Sequence, residues 1–248
     1  MAVPIDNVYQ KVLALCNKEQ RGYVTPQEFN LFADKAQNEI YENYFHQLNL
    51  AQRKPNSQKQ HSDILESIEH KLSDFIDDAN INVTTSTGSA ALPSNVNPYR
   101  IIRVVGNNTA SGKTAERVSA SELDYILNNP LTAPSTSRSI YVHTGLSSSV
   151  SYLQFHPNGS DLIQTSAWRV YYYKDPTKPN WGYVLAGPSG FEKALYNDGI
   201  STDFQLHQSE EENLVNKILI LAGVTIQKQD IQQAGATQMQ VKNQEQNS

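Results

Sequence analysis

Cysteine is nearly absent from this sequence: Cys16 is the single thiol in 248 residues. One thiol closes no intrachain disulfide, and zinc sites built on four cysteines are excluded. Long apolar runs are missing too, and nothing approaches the roughly 18 residues of a membrane span. The start, MAVPIDNVYQKV, has no basic residues leading into an apolar run, so neither a signal peptide nor a membrane anchor is expected there. A basic excess is also lacking. The net charge is −5, which argues against a chain whose main task is to grip a phosphate backbone. These absences describe a soluble chain of a reducing compartment, with no membrane partner and no disulfide framework.

The chemical motifs fail in specific ways. VVGNNTASGKT imitates a phosphate-cradling loop, but five residues separate Gly106 from Gly112 where four are needed, and the next helix signal comes only at Ser119. Asp78, Asn80 and Asn82 imitate the first ligands of a calcium loop, yet the turn position holds Val83 instead of glycine and the bidentate position holds Ser89 instead of glutamate. His46 follows Glu42, and His70 follows Glu66, at helical spacing without any HExxH pattern. His143 and His156 could approach across strands, but lack a third ligand. Cys16 lies on an apolar helix stripe, where a thiol is inert, and no GxSxG elbow occurs. The Asn-x-Ser/Thr sequons at Asn82, Asn107 and Asn158 carry little weight without a secretory signal. No catalytic, cofactor-binding or metal residues are expected, and the chain is read as not an enzyme.

The pattern predicts an α+β fold in which an N-terminal helical hairpin and a closing C-terminal helix are packed with an antiparallel β-rich domain. Ile5, Val8, Val12, Leu15 and Cys16 form one stripe of a first helix. Thr25-Pro26-Gln27-Glu28 is a capping box that opens a second, with Phe29, Phe32, Ala33, Ala36, Ile40, Tyr44, Phe45 and Leu48 on its stripe. After a polar linker at 51–60, a third helix carries Ile64, Leu65, Ile68, Leu72, Phe75 and Ile76. Strands are expected at 99–105, 114–118, 139–143, 150–156, 164–173 and 182–186, with a hairpin about Asn158-Gly159. A short helix is announced by the box Ser119 to Glu122 and ended at Asn128-Asn129-Pro130. The box Ser209 to Glu212 opens the closing helix, whose face is Leu214, Val215, Ile218, Leu219 and Ala222 and whose stop is Gly223. The parts are therefore a helical 1–80, a β-rich 81–207, a closing helix at 208–223 that packs back on the first helices, and a glutamine-rich tail at 224–248.

Two surfaces invite partners. Alternation puts Trp168, Val170 and Tyr172 on one face of a strand and Arg169, Tyr171 and Tyr173 on the other. Tyr171, Tyr173 and Trp181 are accordingly interface candidates, since Tyr and Trp are enriched at protein interfaces. In the tail, Ile226, Ile231, Ala234, Gln238 and Val241 are candidates for a partner's groove. Exposed rings would also suit stacking on sugars, so a glycan-binding β module on a helical mount is the rival reading. An enzyme comes third, and would need a cleft with converging carboxylates.

RGYVTPQEFNLFADKAQNEIYENYF resembles the start of structural proteins from marine and gut phages. SASELDYILNNP, YLQFHPNG, RVYYYKDPTKPNW and DFQLHQSEEENLVNKILILAGV resemble head-to-tail adaptors of short-tailed phages, of the tail tubular protein A type, and ring proteins of crAss-like phages. The likeness runs from Gly22 to Val224, apart from the polar stretch between Thr84 and Asn97. It implies a virion structural protein, made in the bacterial host cytoplasm, forming a ring, usually of twelve copies, at the neck. The implied partners are its own copies, the portal protein and neighbouring tail or ring proteins, with genomic DNA passing through the channel without specific binding.

Overall fold

The structure is a computed structural model, which describes residues 2–17, 24–53, 59–84, 86–93, 96, 98–106, 113–135, 137–147, 150–157, 167–188, 193–225, 237 and 240. In chain order the elements begin with β1 (Ala2–Val3), α1 (Ile5–Asn17), α2 (Pro26–Arg53) and α3 (Lys59–Ser73). Next come β2 (Ile76–Asn82), β3 (Ser89–Ala91), β4 (Pro98–Gly106), β5 (Thr114–Arg117), α4 (Leu123–Asn128), β6 (Ile140–Ser147), β7 (Val150–His156) and β8 (Ala167–Lys174). The chain continues through β9 (Tyr183–Ala186), β10 (Lys193–Tyr196), β11 (Phe204–His207) and α5 (Glu211–Thr225). The fold is α+β. It divides into two units, one of Met1–Asp74 with Pro176–Ser248 and one of Phe75–Asp175.

In the helical unit, α2 starts at the expected box: Thr25 N–H donates to Glu28 Oε2 at 2.9 Å and Glu28 N–H donates to Thr25 Oγ1 at 3.3 Å. Both orphan donors at the helix start are thus satisfied reciprocally. Phe29, Ala33, Ala36, Ile40 and Tyr44 are buried along one face. The closing helix α5 packs on both α1 and α2 and is the principal neighbour of each, so the expected two-helix hairpin is in fact a group joined by α5. Leu214, Val215, Ile218, Leu219 and Ala222 supply its buried face. Each large side chain buried there contributes about 1.5–3 kcal/mol. Two boundaries differ from expectation. A 3-10 turn at Gln208–Glu210, in which Ser209 N–H donates to His207 Nδ1, precedes α5, and the helix runs past Gly223 to Thr225.

The second unit is a seven-stranded sheet in the order β2-β8-β4-β5-β6-β7-β3. Its end strands are themselves joined, by the Val83↔Ala90 bridge and by Thr84 N–H donating to Ser89 O at 2.8 Å, so the sheet closes into a barrel. Gly88, at φ 70, makes the tight return between β2 and β3. Among the described residues the two end strands meet at this point alone, and along Ile76–Asn82 β2 is paired only with β8. Side chains alternate as expected on β8: Trp168, Val170 and Tyr172 fill the barrel with Ile81, Leu92, Leu153 and Phe155. All strand pairs are antiparallel except β5 with β6, which departs from the purely antiparallel sheet expected.

Several expectations are corrected here. Ile76 is on a strand, because α3 stops at Ser73 and β2 pairs along β8 from Ile76↔Tyr173 to Asn82↔Ala167. The β7–β8 hairpin does not form: β7 lies between β6 and β3, and β8 between β2 and β4. Asn158-Gly159 itself lies outside the described residues. At Ser119 the capping box is not made; α4 has Glu122 as N-cap without a side-chain bond, while Ser119 Oγ meets Ser121 Oγ at 2.8 Å.

The β-rich part ends at Asp175, well before 207, since residues 176–207 belong to the helical unit. Polar residues of α2 explain why. Asn30 Oδ1 accepts from Trp181 N–H at 2.7 Å, and Gln37, fully buried, donates Nε2 to Thr177 O at 2.8 Å and accepts from Gln205 N–H at 3.0 Å. Seven residues apart, Asn30 and Gln37 share one face two turns apart and bond this segment to the helix.

Candidate interaction surface

Trp181 is an internal anchor, 3% exposed, with its ring centroid 4.3 Å from that of Tyr9 and its Nε1–H donating to Asp6 Oδ1 at 2.9 Å. This corrects its assignment as an interface aromatic: the indole is consumed by the core of its own unit. Tyr183 and Tyr196, a directly opposed pair on β9 and β10, bring their rings to 5.9 and 5.8 Å from the indole. Next to it, Gly182 leaves room for the backbone of Ile200; a Cβ there would lie 2.8 Å from the Ile200 carbonyl carbon and oxygen.

From this base the β9–β10 ribbon carries apolar groups that its own unit does not cover. Opposed residues share a face, which puts Leu185 with Ala194 on one side and Val184 with Leu195 on the other. Val184 is 46% exposed, Leu185 61% and Leu195 53%. Among the described residues, β9 and β10 pair only with each other. A two-stranded ribbon in water is marginal by itself, and one with apolar groups on both faces is more so. The sequence pointed to a strand at 182–186 but not to its partner, because the polar Asn197-Asp198-Gly199 turn after KALY masks the four-residue strand.

Tyr171 and Tyr173 lie on the outer face of the barrel, half-buried. The Arg103 guanidinium sits 4.8 Å above the Tyr171 ring, and Arg169 pairs with Asp78 at 3.4 Å. Arg169 is held above its usual range, first by its bond to Tyr171 and then by the Asp78 charge. These groups satisfy one another along the strands. Tyr171 and Tyr173 belong to the sheet unit and Trp181 to the helical one. The tail candidates Ile226, Ile231, Ala234, Gln238 and Val241 lie outside the described residues.

The remaining motifs resolve into local structure. Lys113 closes a strand pair, accepting at its carbonyl from Gly106 N–H at 2.8 Å, and a strand rather than a helix follows it. Asp78, Asn80 and Asn82 are successive exposed positions of β2. Register places His143 opposite Leu153 and His156 opposite Ile140, which separates the two imidazoles along the ladder. Among the described residues no group of three metal-ligating side chains occurs, and no helix is long and apolar enough to cross a membrane. Two open depressions beside α4, one lined by Ser121, Asp124, Tyr125 and Asn128 and one by Arg117, Ser119 and His143, bring no pair of carboxylates together. No family model and no curated protein matches the sequence.

Proposed function

We propose that this chain is a structural subunit of a closed ring in the neck of a tailed phage, a head-to-tail adaptor that joins its own copies, the portal and adjoining tail or ring proteins around the DNA channel. The observation that carries the reading is the β9–β10 ribbon, whose Val184, Leu185 and Leu195 are left to water in a single subunit. Burial against a neighbour would recover about 25 cal/mol for each Å² of that apolar surface. The sequence resemblance supplies the place of assembly, and the ribbon, whose two strands pair only with each other among the described residues, offers its edges as points of association. A rival glycan-binding role would draw on exposed indoles, and both Trp168 and Trp181 are buried within their own units.

The test is the mass of the purified protein in solution, with imaging of the assembled state. A cyclic oligomer supports the reading; a monomer at every concentration, and no cyclic symmetry within particles, overturns it.

A further inference from the structure

The wall of the barrel has a second, outer seam. Tyr141, Leu153 and Phe155 point inward, whereas Ile140 and Val142 of β6 point outward and, with Val118, form a small separate cluster. Leu123 and Ile126 of α4 pack onto it from outside. That contact is the main support of the helix. Six residues are too few for a helix to persist alone, no α4 residue is buried, and its N-cap makes no side-chain bond. Beyond the helix, the segment is tied to the wall through Arg138, which donates Nη1–H to Thr132 O at 3.3 Å and Nη2–H to Glu116 Oε2 at 2.8 Å.

His156 stands at this seam. It is the cross-strand partner of Ile140 and so shares its outward face. The residue is only 9% exposed, and its Nε2 is buried without a hydrogen bond. A neutral imidazole tolerates such a place at modest cost; an imidazolium there would be a buried charge with a donor unmet.

We propose that residues 119–135 form an acid-releasable flap over the outer wall of the barrel, with His156 as its trigger. Proton uptake at Nε2 is accommodated when the flap lifts and water reaches the seam, which uncovers Val118, Ile140 and Val142. Burial alone depresses His156 below the ordinary histidine range, in keeping with a neutral ring in the closed state. The charged groups on the surrounding elements do not replace water as its partner. On the β5 side Glu116 is already engaged by Arg138, and Arg117 and His143 are exposed and line an open depression with Val118, Ser119 and Val142. On α4, Glu122 and Asp124 are exposed, and on the β3 side Thr87 and Gly88 carry no charge. The inference is independent of the ring reading.

Hydrogen exchange resolved by segment, on the full chain at pH 7.5 and pH 5.0 and corrected for intrinsic rates, tests it. Protection of amides in 122–133 should fall at least tenfold relative to those of β8 in the parent protein. In His156→Leu, and in His156→Gln should the leucine variant fold poorly, that selective fall should vanish. Equal protection at both pH values, a fall shared by the whole barrel, or the same selective fall in the variants overturns the proposal.

Discussion

Glu210, 2% exposed, accepts a 2.7 Å charge-assisted hydrogen bond from the Lys71 ammonium, so the turn before α5 is bonded to the last turn of α3. Asn213 Nδ2 donates to the other carboxylate oxygen at 2.7 Å. The Tyr44 hydroxyl is buried close by, and burial first, then the Glu210 carboxylate, pushes its phenol far above the usual range. It stays neutral. Removing one partner of a buried ion pair leaves the other charge uncompensated, a loss of about 3–5 kcal/mol. Lys71→Ala should therefore lower stability by that order in urea unfolding, and Lys71→Met with Glu210→Leu should recover most of it. Equal stability of Lys71→Ala and parent would show that the pair is not formed in solution.

Gln37 makes a second prediction. Its amide closes two backbone bonds, to Thr177 O and from Gln205 N–H, inside a fully buried position. Truncation strands both partners, at about 1–3 kcal/mol for each buried group left unmet. Gln37→Ala should thus be among the costlier single changes on α2, whereas Glu42→Ala, on its exposed side, should lie within about 0.5 kcal/mol of the parent. Comparable small effects for both would remove Gln37 from its role in joining residues 176–207 to the helices.

These two residues also show where reading the sequence stops short. Apolar periodicity made α2, α5 and the inward face of β8 legible, and turn residues bracketed most strands of the barrel. A polar side chain in a helix reads as solvent-facing, so Asn30 and Gln37 concealed the bonds that tie residues 176–207 to the helical unit. The strand order was equally hidden, since the pairing of β8 between β2 and β4 depends on distant partners that no local pattern encodes. The interface aromatics failed for a related reason: enrichment of Trp at interfaces says nothing about whether a given indole, such as Trp181, is already held by Tyr9 and Asp6.

The cap at α2 gives a pH-dependent expectation. The Thr25 backbone bond, then its hydroxyl, holds Glu28 below the ordinary carboxylate value of 4.5. A depressed carboxylate contributes stability above its unfolded value that fades as pH falls through the folded one. Thr25→Ala should lose about 1 kcal/mol near neutrality. The difference from parent should shrink below about pH 4.5 as Glu28 protonates, by the share of the hydroxyl bond alone because alanine keeps the backbone N–H; a difference that stays constant to pH 3 would mean that the Thr25 hydroxyl does not hold the carboxylate.

The last prediction separates the ribbon's role in assembly from any role in folding. Leu185 and Leu195 sit on opposite faces of β9–β10 and are each more than half exposed, so the isolated subunit gains little from them. Replacing both with aspartate should shift the melting temperature of the dissociated subunit only slightly, because exposed substitutions away from special features stay within about 0.5 kcal/mol each. In an interface the same pair would bury two carboxylates against apolar neighbours, and that cost is severe unless they are paired. Leu185→Asp with Leu195→Asp should accordingly leave a folded chain whose oligomer, measured by light scattering at matched concentration, is lost or weakened at least a hundredfold. Gly182→Ala provides the contrast. Its Cβ would meet the Ile200 backbone at 2.8 Å, so it should disturb the ribbon base and lower stability as well as assembly. An unchanged oligomer in the double variant would leave ring formation to some other surface, and a large drop in its melting temperature would make the ribbon part of the subunit's own core.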